Sequence, residues 1–103
     1  MELVDRVRAG LPPAEEKRMF GGTAFMVDGG LACSVSSRGL LVRVLPEHQA
    51  DLVATEGVAP MVMGSRSSRG WVTVDPGLLA DDVALREWLD RGVAAARSVT
   101  RAR

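Results

Sequence analysis

The stretch RMFGGTAFMVDGGLACSVSSRGLLVRV, residues 18–44, decides the fold. Short runs rich in Val, Leu, Met and Phe are punctuated there by Asp28-Gly29-Gly30 and by Ser37-Arg38-Gly39. Aspartate and glycine tolerate the positive φ that tight hairpin turns demand, so this punctuation predicts three consecutive antiparallel strands. Their expected bounds are Met19 to Val27, Leu31 to Ser36 and Leu40 to Val44.

Toward the N-terminus, Leu3, Val7 and Leu11 recur every four residues among Asp5, Arg6 and Arg8, the pattern of a short amphipathic helix. Gly10 and Pro12-Pro13 end it, and Ala14-Glu15-Glu16-Lys17 reads as a polar linker. Toward the C-terminus, Pro46 opens a second short helix to about Thr55, which Gly57 and Pro60 close. Met61-Val62-Met63 and Trp71-Val72-Thr73-Val74 then read as a second hairpin around a polar tip from Gly64 to Gly70. After a turn at Asp75-Pro76-Gly77, Asp81 or Asp82 caps a long final helix. Leu85, Trp88, Leu89, Gly92, Val93 and Ala96 give that helix one broad apolar face. The expected architecture is a two-layer α+β fold of order α-β-β-β-α-β-β-α, an antiparallel sheet packed against helices, as a single domain over residues 1–103.

A chain of 103 residues that is 47% hydrophobic and 25% charged has the composition of one globular domain with a real core. Lys+Arg and Asp+Glu number 13 each, so the overall attraction that drives non-specific nucleic-acid binding is missing. Direct nucleic-acid binding is therefore not expected. A single cysteine, Cys33, suits a reducing compartment, and the N-terminus shows neither a signal-peptide core nor a transit peptide. No apolar run approaches the roughly 20 residues of a membrane span, so the expected setting is the cytoplasm.

Arg18-Met19-Phe20-Gly21-Gly22, followed by Ala24-Phe25 and then Gly29, resembles the opening of the TfoX N-terminal-domain family, also called TfoX/Sxy-like. Later blocks agree in order and spacing: Leu41-Val42-Arg43-Val44 looks like its third strand and Gly70-Trp71 like the start of its last. Leu85 to Trp88, Arg91-Gly92-Val93 and Ala96-Arg97-Ser98 look like its closing helix. The resemblance implies an α+β, two-layer fold and kinship with regulators of bacterial DNA-uptake competence, which act on transcription and carry an additional C-terminal domain. The chain stops at Arg103, so that second domain is expected to be absent.

No motif supports an enzyme mechanism. Gly21-Gly22 matches neither phosphate-binding glycine pattern and precedes a strand, where glycine marks a bulge or a close backbone approach; Arg18 to Gly22 is expected to be structural. His48, the only histidine, lies on a polar helix start, and with Cys33 it makes too few ligands for zinc. Cys33 alternates with Leu31 and Val35 as a small apolar residue, and the adjacent Asp81 and Asp82 do not face each other as an acid/base pair would. Neither a catalytic residue, a cofactor nor a metal is expected.

What remains is surface. Strand alternation places Trp71 and Thr73 opposite Val72 and Val74, so if the valines meet the helices, Trp71 lies on the other side of the sheet. Phe25 and Val27 in one register and Phe20 and Met26 in the other give the sheet two apolar faces. The expected role is a regulatory or protein-interaction module, as a homodimer through Trp71, with Arg66 and Arg69 of the hairpin as further contact residues. The rival reading is a domain that binds a small molecule beside Gly21-Gly22, or nucleic acid through the basic hairpin and the tail residues Arg97, Arg101 and Arg103. A concave pocket with convergent polar groups favours the small molecule, and a flat apolar patch including Trp71 favours the interaction module.

Overall fold

The computed structural model describes residues 2–19, 21–37, 39–63 and 66–101, with the backbone alone at 19, 62, 63, 66–69, 100 and 101. Among these, α1 (Leu3–Gly10) is followed by four strands, β1 (Glu15–Met19), β2 (Gly22–Val27), β3 (Gly30–Ser36) and β4 (Gly39–Arg43). A single 3-10 turn at Pro46–His48 leads into α2 (Gln49–Val53), then β5 (Val58–Met63) and β6 (Arg66–Val74). A second 3-10 turn at Pro76–Leu79 precedes the long α3 (Asp82–Arg101). All strands join one antiparallel sheet in the order β1-β2-β3-β4-β6-β5. The α+β class and the sheet packed against helices are as the sequence implies.

The order gains one strand. Glu15 to Lys17, expected as linker, pair with β2, and the long first strand divides at the turn around Gly21, whose φ is +74°. The residues hid this strand because its first four positions are all charged. As an edge strand it needs no alternating apolar pattern, and its charges discourage pairing with another sheet. Glu16 takes a paired hydrogen bond from Arg8 of α1 at 2.7 and 2.8 Å, which ties the edge to the first helix. This partnership holds the Glu16 carboxyl below the ordinary carboxylate range and the Arg8 guanidinium above its own. The second hairpin is also longer than expected: β5 begins at Val58 and runs through Pro60, a residue tolerated on an edge strand. Ser67 to Gly70, assigned to the tip, belong to β6.

One face of the sheet carries the core. Phe25, Cys33, Val42 and Val72 are paired in a row across β2, β3, β4 and β6, and all are buried. Leu40, Val44, Val58 and Val74 extend the cluster, against which α1 sets Val7 and α3 sets Leu85, Trp88 and Leu89. Leu52 and Val53 of α2 pack on the same cluster. Asp81 caps α3 as expected, its carboxylate accepting from the Ala84 amide at 3.3 Å.

A bulge shapes one end. Phe25 pairs with Cys33 but Met26 with Leu31, so β3 has an extra residue, Ala32. Ala32 joins Val27, Val93 and Ala96 in a second cluster under α3. At the β2–β3 turn, Asp28 and Gly29 both have positive φ, 51° and 84°, the conformation that the sequence punctuation predicts.

Candidate functional site on the helix-free face

The opposite face of the sheet bears no helix among the described residues. Alternation sends Trp71 and Thr73 there, while Val72 and Val74 are fully buried on the helix side. Arg43, paired with Trp71 across β4 and β6, lays its guanidinium 4.4 Å from the indole centroid. Its Nε donates to the Leu31 carbonyl at 2.6 Å, beside the bulge, and Gln49 Nε2 donates to the Trp71 carbonyl at 3.0 Å. Trp71 is thus half-buried, its main chain held by Gln49 and its ring covered by the Arg43 cation, which Leu31 holds in place.

Further along the same face lies a row of paired residues, Lys17, Ala24, Ser34, Leu41, Thr73 and Ala59. Ala24 and Ser34 are small and buried between the longer Lys17 and Leu41, so the row dips at its middle. A concavity of about 530 Å³ opens there, lined by Gly21, Ser34, Ser36, Ser37, Leu41 and Thr73, with Pro60 and Met61 on the far side. Ser34 is 2% exposed and its hydroxyl finds no hydrogen-bond partner among the described residues. The Thr73 hydroxyl donates to the Ala59 carbonyl at 3.4 Å.

The sequence-derived candidates separate. Gly21 lines the concavity, whereas Gly22 is packed: a Cβ there would fall 1.8 Å from the Val35 carbonyl oxygen. Arg18 is exposed on the edge strand, the Met19 side chain and all of Phe20 lie outside the described residues, and so do the side chains of Arg66, Arg69 and Arg101 and all of Arg103. Arg97 is paired with Asp28 at 2.7 Å, and Arg6 with Asp82 at 2.8 Å. His48 is exposed on the 3-10 turn. Cys33 is buried in the core, where loss of hydration pushes its thiol up to about 12. Among the described residues, no three His, Cys, Asp or Glu side chains come together as a metal site would require, and no helix is long and apolar enough to cross a membrane.

Sequence reasoning missed Ser34 and Arg43. For Ser34 a signal existed, since it is the polar residue inside the apolar run Leu31-Ala32-Cys33 to Val35.

A six-stranded antiparallel sheet with its helices on one face, and a tryptophan and a serine-lined dip on the other, defines a small α+β domain with an open sheet surface. The sequence profile of the TfoX N-terminal domain matches residues 6–96. The chain belongs to the TfoX N-terminal domain family. No curated protein and no solved structure gives a significant match.

Proposed function

We propose that the chain is a non-catalytic regulatory module of the competence-regulator type, acting in the cytoplasm through the helix-free face of its sheet, and that the occupant of this face is a second copy of the chain. The observation that carries the reading is Trp71, half-buried under Arg43 on a face that no described helix covers. Apart from Arg43, the described charges on that face are the Glu15 and Lys17 pair at the outer strand. Arg43 is engaged with the ring and with the Leu31 carbonyl, so apposing two copies brings few bare charges together. A formal net charge of zero removes long-range repulsion between copies as well. Aromatic residues with arginine are the chemistry enriched at the centre of protein interfaces. Both edges of the sheet discourage the alternative of strand addition, β1 by its charges and β5 by Pro60.

Acrylamide quenching of Trp71 fluorescence, in a Trp88→Phe background, tests the assignment. Quenching falls as protein concentration rises if Trp71 enters the interface; quenching independent of concentration rejects it.

A further inference from the structure

We infer that the dip at Ser34 is a binding site for an uncharged small molecule with an apolar body and a hydrogen-bonding group such as an amide. The dip shares the helix-free face with Trp71, but neither Trp71 nor Arg43 lines it, so the inference adds a ligand to the interaction reading. Three features converge on it. The concavity has about 530 Å³, within the roughly 300–1,000 Å³ range of small-molecule pockets. Ser34 sits in its floor with a buried hydroxyl that has no hydrogen-bond partner among the described residues, and such a group is costly unless something completes its hydrogen bonding. Its side chain shares the face of Leu41, its partner on β4, and of Thr73, the next residue in register on β6.

The lining sets the ligand class. Leu41, Pro60 and Met61 give apolar walls, and Ser34, Ser36, Ser37 and Thr73 supply hydroxyls. No described lining residue carries a charge, so an ionic ligand would shed water without a counter-charge, whereas a neutral one meets donors and acceptors. A serine hydroxyl both donates and accepts, which matches an amide on either of its atoms. Methionine and leucine walls suit a flat apolar body.

Benzamide, benzoate and benzamidinium are nearly isosteric and differ in charge, so they serve as probes. Chemical-shift titration of the ¹⁵N-labelled protein should show benzamide moving the amides of Ser34, Leu41 and Thr73, with benzoate and benzamidinium at least about ten-fold weaker. Ser34→Ala should weaken benzamide by roughly two- to ten-fold, the loss of one hydrogen bond of ordinary strength. The same variant should leave the melting temperature unchanged or raise it, because it removes an unpartnered buried hydroxyl. At a protein concentration where the wild type is a single chain, Trp71→Glu should bind benzamide as the wild type does, which separates the dip from Trp71 on the face they share. Absence of benzamide shifts at these residues, equal binding of a charged probe, unaltered binding by Ser34→Ala, or a lowered melting temperature for that variant would each overturn the assignment.

Discussion

Gly92 of α3 lies directly against the Ala32 carbonyl of β3: a Cβ at Gly92 would fall 2.6 Å from that oxygen. The contact occurs where the bulge turns Ala32 toward the helix, so a glycine in the middle of a helix is matched to an irregularity in the sheet. Glycine is ordinarily unfavourable in a helix, and replacing it by alanine in an open position gains about 1 kcal/mol. Here the sign reverses. Gly92→Ala should destabilise by about 1–3 kcal/mol, the cost of forcing extra volume against backbone that cannot yield. Urea unfolding measures it, and a stabilised variant would show that α3 can lift from the sheet without cost.

Trp88 anchors the same helix. It is 7% exposed, packs with Leu85 and Leu89 in the main core, and has Arg91 4.7 Å from its ring centroid. Trp88→Ala should cost about 3–5 kcal/mol, as large buried aromatics do. A loss well below about 1 kcal/mol in equilibrium unfolding would remove Trp88 from the core.

These two positions also show what the residues alone make legible. The apolar stripe of α3 is periodic, so Trp88 is recognisable as core, and alternation sets Trp71 opposite Val72. Gly92 gave no hint of its partner, because the bulge at Ala32 arises from the register of two strands and not from any local pattern. β1 was hidden for another reason: Glu15-Glu16-Lys17-Arg18 has no apolar face, since its edge position asks for none. Ser34 stands out as polar within an apolar strand, but its place in a dip depends on Ala24 and Leu41 of neighbouring strands. Local periodicity carries the helices and the turns; the site rests on long-range pairing.

The Cys33 thiol has a pH consequence. Its usual value of about 9.0 is raised to about 12 by burial, so the folded state keeps the proton more tightly than the unfolded chain. The stabilising difference is therefore complete below pH 9 and is lost as pH rises toward 12. Stability of the wild type should fall over that window more than stability of Cys33→Ala. At pH 8, alkylation by iodoacetamide should be slowed in proportion to the small population of the opened chain, and fast labelling of the native protein would place the thiol outside the core.

Direct DNA binding should be weak. The formal charge is zero, and Arg6, Arg8, Arg86 and Arg97 are each paired with a carboxylate. Fluorescence anisotropy with duplex DNA at physiological ionic strength should show no submicromolar binding. Submicromolar affinity with steep salt dependence would restore the nucleic-acid reading.

Sedimentation equilibrium across a concentration series, on the wild type and on Trp71→Glu, tests the central claim most directly. The wild type should move from the mass of one chain, 11.0 kDa, toward twice that mass, while the folded Trp71→Glu variant stays at one chain throughout. A wild type that remains a monomer at high concentration, or a Trp71→Glu variant that pairs as well as the wild type, would contradict the assignment of the helix-free face as the interface.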